Sequence, residues 1–322
     1  MEQSEKPKYK YLFGPVLSRR LGISLGVDLV PHKTCSLNCV YCECGKTTHL
    51  TTKRDAYIPA NAIRKELDRF LSENPELDYI TFSGAGEPTL NLQIQEVIQY
   101  LKQSYPRYRV ALLTNSTLLD RPDVRRQIRE TDLVIASLDS ATETGFHRIN
   151  RPHPNIDLRR VLDGLRSFRN EFENCFWIEV FIVPGINDDP VECARLKEAA
   201  ETISPDRIHL NSLDRPGTEK WVEPVGRSRL EQLGAHLNGA EIVDVEQIGS
   251  KACVRRWDYR EPLMATIRRR PCTTEDVSRM FGIALDETAA CLDAMVESGE
   301  IEKREMARGV FFQAVPSLKQ AG

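Results

Sequence analysis

No stretch of the 322-residue chain approaches the roughly 18 consecutive apolar residues a membrane-spanning helix needs, so none is expected. The first residues, MEQSEKPKYKYLFGP, have no apolar core of a signal peptide, which points away from export. Charge of one sign is also lacking. The 44 basic and 47 acidic side chains leave a net −3, which excludes a broad basic coat for nucleic acid. There is no second closely spaced cysteine pair, as a paired zinc site would require, and no internal repeat or low-complexity tract. What remains is an ordinary globular composition, 41% hydrophobic and 28% charged, long enough for about two domains. Within it are nine cysteines. An odd number in a chain without an export signal argues for reduced thiols in the cytoplasm rather than a disulfide framework.

Short β-type runs alternate with amphipathic helical patterns through the first two-thirds of the chain. Residues 24–30 (SLGVDLV) read as a first strand, and DYITFSG, YRVALLTN, DLVIASLD, FWIEVFIVPG and RIHLNSL follow, ending near Leu213. Helical patterns such as IPANAIRKELDRFLSEN and LRRVLDGLRSFRNEF separate them. Six β-runs with helical crossovers predict a parallel sheet covered by helices, too short for a closed eight-stranded barrel. A proline-rich connection, DRPGTEKWVEPVG, leads to a helix at 228–238 and a strand at 241–246. From Tyr259 onward, three helices and a hairpin are expected: EPLMATIRRR stopped by Pro271, TEDVSRMFG capped by Thr273 or Thr274, residues 285–298, and GEIEKREMARGVFFQAV. That is a winged-helix layout.

Four cysteines fall within ten residues, spaced Cys35-x3-Cys39-x2-Cys42 with Cys44 two further on, just after the first strand. Three thiolates on one loop suit one face of a [4Fe–4S] cluster, leaving the fourth iron open to an exogenous ligand. Cys44 would complete a four-thiolate set only through a sharp turn back, and is read as a bystander. Cys175, Cys193, Cys253, Cys272 and Cys291 are scattered and read as buried free thiols.

The loop Cys35-x3-Cys39-x-Tyr41-Cys42 resembles the signature of the radical S-adenosylmethionine superfamily. The wider segment FGPVLSRRLGISLGVDLVPHKTCSLNCVYCECGKTT resembles a narrower group within it, the iron–sulfur oxidoreductases related to tRNA wyosine-base synthases. The resemblance runs from about Phe13 to Pro216. It implies a partial (β/α)6 TIM-type barrel over residues 1–215, a connecting segment over 216–258 and a winged-helix domain over 259–322. It also implies a [4Fe–4S] cluster held by Cys35, Cys39 and Cys42, S-adenosylmethionine, and an electron donor such as flavodoxin or ferredoxin. The reduced cluster would cleave the cofactor, and the resulting 5′-deoxyadenosyl radical would abstract a substrate hydrogen.

By the same resemblance, several strand ends line the cofactor. Gly86 and Glu87 of the GAGEPT turn would approach its α-ammonium, the alternative for Glu87 being a solvated loop carboxylate. Asn115 and Asp139 suit ribose hydroxyls and Ser137 the carboxylate; as loop caps they would have no such role. Gly185 and Ile186 resemble an adenine-packing turn or form an ordinary Pro-Gly turn. Tyr41 would touch adenine through backbone or ring, or only pack the loop.

Basic and amide groups expected at the mouth are the substrate candidates: Arg19, Arg20, Asn150, Arg151, Asn211 and Arg215, with His32 and Lys33 just before Cys35. Arginine forks suit phosphate or carboxylate, and surface salt bridges are the alternative. His147, His153 and His209 give no assignable acid or base. The wyosine-base resemblance implies a nucleotide or tRNA base as substrate, against a small molecule or peptide, or an iron–sulfur sensor that binds DNA through the winged helix. Residues 259–322 carry nine basic and ten acidic groups, and the helix that would enter a groove begins Leu285-Asp286-Glu287. Phosphates would repel it. Its basic spots, Arg268-Arg269-Arg270, Lys303, Arg304 and Arg308, leave backbone contact or protein docking open.

Overall fold

The structure is a computed structural model that describes residues 9–237, 239–243 and 260–315. The described residues begin with a hairpin, β1 (Leu12–Ser18) and β2 (Gly22–Val27), paired antiparallel. Two short strands, β3 (Thr34–Cys35) and β4 (His49–Leu50), pair parallel beside the cysteine loop. Regular alternation follows: α1 (Ala60–Leu71), β5 (Tyr79–Phe82), α2 (Ile94–Ser104), β6 (Arg109–Thr114), α3 (Pro122–Ile128) and β7 (Leu133–Ser137). Then come α4 (Glu143–Asn150), α5 (Leu158–Glu171), β8 (Cys175–Phe181), α6 (Pro190–Ile203), β9 (Arg207–Asn211), α7 (Arg227–His236) and β10 (Glu241–Ile242).

The main sheet has eight strands in the order β1-β2-β5-β6-β7-β8-β9-β10, parallel except for β1. This is an α/β fold around a parallel sheet, consistent with the expected partial barrel. To the six barrel runs it adds β10, expected as a separate strand at 241–246, and β1, which was not expected. β1 was missed because Gly14-Pro15 interrupts its apolar run, and its register with β2 shifts between Phe13 and Val16. The first parallel strand ends at Val27 rather than Val30. β10 is shorter than the expected 241–246, whose residues 244–246 lie outside the described residues.

Local signals set the helix starts. Asp189 caps α6, accepting from Val191 N (2.7 Å) and Glu192 N (3.1 Å), and Pro190 fits the first turn because its missing N–H is not needed there. Helix faces carrying Ile63, Leu67, Val97, Leu101, Val161 and Phe168 pack on Ile80, Val110, Val134 and Phe176 of the sheet. Burying each large apolar side chain contributes about 1.5–3 kcal/mol. The opposite sheet face holds a smaller cluster, Leu21, Ala111, Leu133 and Ile135.

The C-terminal residues form α8 (Arg260–Ile267), α9 (Thr274–Phe281), α10 (Leu285–Glu297) and the hairpin β11 (Ile301–Met306) and β12 (Gly309–Ala314). Thr273 is the cap of α9, in a reciprocal capping box with Asp276. Their core, Leu263, Ile267, Val277, Phe281, Leu292 and Phe312, also takes in Val16 of β1. The module therefore packs on the edge strand of the main sheet. Of the cysteines read as buried thiols, Cys193 and Cys272 are buried, Cys291 is half-buried and Cys175 is exposed at the start of β8. Cys253 lies outside the described residues.

Candidate functional site

The cysteine loop leaves the C-terminal end of β2, the end of a parallel sheet where connecting loops converge. Its base is fixed by the turn after β5. Lys33 N donates to Ala85 O (2.5 Å) and Glu87 N to Thr34 O (3.1 Å). A Cβ at Gly86 would lie 2.2 Å from Thr34 O, so this glycine is required by the close approach of the two loops.

Cys35, Cys39 and Cys42 are half-buried, and their sulfurs influence one another electrostatically. Burial, then the neighbouring Glu87, pushes the Cys35 thiol up to about 11. Burial also holds the Cys39 thiol well above its usual range, with Asp139 adding to the effect. Cys42 goes the other way: its contact with Cys44 and the Lys33 ammonium stabilise its thiolate against burial. Each sulfur also receives a side-chain N–H: Lys33 Nζ to Cys42 (3.0 Å), Asn115 Nδ2 to Cys35 (3.4 Å) and Asn150 Nδ2 to Cys39 (3.5 Å). Cys44, read as a bystander, donates to Arg269 O (3.0 Å), so the C-terminal module touches the loop.

The neighbouring strand ends are tightly cross-linked. Glu87 is 2% exposed. Its Oε1 accepts from Thr89 N (3.1 Å), Thr89 Oγ1 (2.6 Å) and Thr114 Oγ1 (2.7 Å), and its Oε2 from Asn115 N (2.7 Å). Burial raises its pKa and these bonds oppose the shift. It is therefore no solvated carboxylate, and only Oε2 keeps acceptor capacity to spare. Asp139, also buried, accepts from Tyr41 Oη (2.6 Å), Asn150 Nδ2 (2.6 Å) and Phe181 N (2.9 Å). Tyr41 stacks on Phe181 with ring centroids 3.8 Å apart, which commits its ring to the protein's own packing. Ile186 is buried in the same cluster. Asn115 is held by Ser36 and Thr117. Ser116 Oγ donates to the carbonyl of Ser137, whose own side chain is half-buried. Gly185 adopts a left-handed turn with open space around its Cα.

The substrate candidates do not form one exposed rim. The turn carrying Arg19 and Arg20 joins β1 to β2, and burial lowers the pKa of both, Arg20 to about 9, while Glu43 of the cysteine loop opposes the shift; Arg19 also lies close enough to Arg215 to feel its charge, and Arg20 pairs with Glu179 of β8. Arg215, expected at the mouth, is 0% exposed. It is bonded to Asp214 (2.5 Å) and lies 3.6 Å from Asp276 and 4.0 Å from Glu43. Burial opposes its charge, but these carboxylates raise its pKa. Arg270, beside it, has fewer counter-charges, and burial lowers its pKa to about 10. Arg151 caps α4 and pairs with Glu219. Asn211 is buried and bonded to Ser212 N (2.9 Å). Asn150 alone of this group joins the cysteines. Sequence reasoning placed Lys33 among the substrate groups and did not single out Asp28, Glu43 or Asp276. Their partners are distant in the chain, so no local signal marks them.

The thiols fit an iron–sulfur cluster. Each already receives the N–H donor that bound sulfur favours. Asn150 Oδ1 is a buried acceptor with no hydrogen-bond partner beside Cys39, a place for a donor from a bound molecule.

Comparison with known proteins accords with this chemistry. The sequence profile of the radical SAM superfamily matches residues 29–196, just over half the chain, and the chain belongs to that superfamily. It is an enzyme of the radical SAM type, and members of the superfamily bind a [4Fe–4S] cluster and S-adenosylmethionine. It is 30% identical over 322 residues to a UPF0026 protein of Methanocaldococcus jannaschii, covering 93% of this chain and 94% of that one. A Brachyspira hyodysenteriae protein named GTPase Obg is 34% identical over 313 residues; this chain spans 46% of its length. A GTP 3′,8-cyclase of Streptomyces coelicolor is 26% identical over 53% of this chain and 48% of its own. A radical SAM methyltransferase structure from Sphaerobacter thermophilus shares the fold, with a TM-score of 0.51 and 16% identity over 70% of this chain and 68% of that one.

Proposed function

We propose that the protein binds a [4Fe–4S] cluster through Cys35, Cys39 and Cys42 and acts on a nucleotide or a tRNA base. When bound, the cluster and S-adenosylmethionine supply a 5′-deoxyadenosyl radical that takes a hydrogen atom from the substrate. The observation that carries this reading is the convergence of three cysteines from one loop at the C-terminal end of a parallel sheet, with one N–H donor for each sulfur. Glu87 Oε2 would receive the cofactor's α-ammonium, Ser137 its carboxylate, and Asn150 Oδ1 a further donor. Asn115, Asp139 and Tyr41 would hold the strand ends in shape, with Gly86, Gly185 and Ile186 forming backbone walls. A ferredoxin or flavodoxin in the reducing cytoplasm would deliver the electron.

The nucleotide class is supported by the resemblance to wyosine-base synthases and by the kinship with a GTP cyclase. We further propose that residues 259–322 are a winged helix used as a wall for residues 1–215, with 216–258 as the connection. Of the basic spots needed for nucleic acid, all but the exposed Arg268 are turned inward or paired. Arg269 binds Asp28, Arg270 donates to Leu17 O (3.3 Å), Arg304 to Gly217 O (3.3 Å), Arg308 pairs with Asp276 and Asp214, and Lys303 with Asp293. That leaves the DNA-binding sensor with Arg268 as the exposed group of this set that is not committed to a partner named here, too little for a basic contact surface. Incubating reconstituted protein with deuterated guanosine nucleotides or deuterated bulk tRNA tests the substrate. Deuterium in 5′-deoxyadenosine from either supports the proposal, and its absence from both, with the cofactor still cleaved, overturns the nucleotide class.

A further inference from the structure

We propose that Lys33, Asn115 and Asn150 form a set of sulfur-directed donors that raises the reduction potential of the cluster held by Cys35, Cys39 and Cys42. This rests on the cluster assignment above. The three donors come from separate parts of the chain: the entry to the cysteine loop, the end of β6 and the end of α4. Each reaches a different sulfur, at 3.0, 3.4 and 3.5 Å.

None of the three is a mobile surface group that happens to lie nearby. Lys33 is 3% exposed, and its backbone is fixed to Ala85 O in a left-handed conformation that a lysine rarely adopts. A buried ammonium needs a compensating charge, and the sulfur of Cys42 is where its Nζ points. The Asn115 carboxamide is oriented by Thr117, which donates twice to its Oδ1, so its Nδ2 must face Ser36 and Cys35. The Asn150 carboxamide is oriented by Asp139, which accepts from its Nδ2 and leaves that group facing Cys39 as well. Asp139 is in turn fixed by Tyr41 and Phe181 N.

Taking up one electron adds negative charge to the cluster and its sulfurs. Hydrogen bonds and a fixed positive charge stabilise that reduced form more than the oxidised one, so they raise the potential. Lys33 brings both and is the strongest of the three, while Asn115 and Asn150 bring only a bond dipole. All three are positioning residues, since they act through the cysteines.

The test is a dye-mediated redox titration of anaerobically reconstituted protein, wild type against Lys33→Met, Lys33→Arg, Asn115→Ala and Asn150→Ala, with iron content measured on each. At the wild-type midpoint, Lys33→Met is expected to lower the reduced-to-oxidised ratio tenfold or more, equal to about 59 mV for a one-electron couple. Lys33→Arg should recover part of that loss, and each asparagine variant should shift in the same direction by less. If Lys33→Met fails to hold iron, the two asparagine variants decide the matter. Iron-loaded variants that titrate with the wild type overturn the proposal while leaving the cluster assignment intact. A wild type that holds no cluster overturns both.

Discussion

Two regions of this protein bury polar and charged groups, and they do so for different ends. At the mouth of the sheet, amide and ammonium donors face three sulfurs, and one carbonyl oxygen, Asn150 Oδ1, is left without a partner. At the junction with the C-terminal module, Arg215 and Arg308 face Asp214, Asp276 and Glu43. The second set answers charge with charge through ion pairs, although Arg215 Nε and Nη2 and Arg308 Nε have no hydrogen-bond partner, whereas the first gathers three separate donors onto the sulfurs of one loop. Neither buried charge nor a lone unanswered atom marks a site; donors gathered on three neighbouring thiols do.

The largest effect should come from breaking the junction. Asp276→Ala leaves Arg215 fully buried and Arg308 partly buried with fewer counter-charges, and it also removes half of the α9 capping box. Loss of one partner of a buried pair costs about 3–5 kcal/mol. We expect a correspondingly lower urea midpoint, with iron per folded protein unchanged. Coupled loss of iron would show that the two regions are not separable.

A smaller effect is expected from pH. His209 is buried against Trp177, and burial, with Arg20 adding to it, lowers its pKa from 6.5 to about 4 despite Glu241. As pH falls, the unfolded chain takes up the proton first. Stability should therefore be flat above pH 6.5, decline between 6.5 and about 4, and level off below, by a few kcal/mol at most, since one pKa unit corresponds to about 1.4 kcal/mol. Urea denaturation across that range checks it, and His209→Phe should remove this part of the slope. The smallest change should be Arg304→Ala, which loses one bond to Gly217 O at a half-buried position and should cost under about 1.5 kcal/mol in the same assay.

The alternation of β-runs and amphipathic helices was readable because it depends on local periodicity, and the cysteine loop because its ligands lie within eight residues. β1 was not, since Gly14-Pro15 hides its pattern and only pairing with β2 makes it a strand. The arginines misled for a related reason. Arg215 and Arg20 have the composition of a binding rim, but Asp276 and Glu179, which neutralise them, arrive from elsewhere in the chain. Conversely, Lys33 and Asn150 were singled out for an outward task, and folding turns both onto sulfur. Side-chain direction at a strand or helix end is a tertiary property.

On the function proposed above, the mouth of this sheet holds a cluster that cleaves S-adenosylmethionine. Anaerobically reconstituted protein incubated with the cofactor and dithionite, with 5′-deoxyadenosine quantified by chromatography, tests it most directly. 5′-Deoxyadenosine is expected from the wild type and none from the Cys35→Ala, Cys39→Ala, Cys42→Ala triple variant. Equal yields from the two proteins, or none from an iron-loaded wild type, would contradict it.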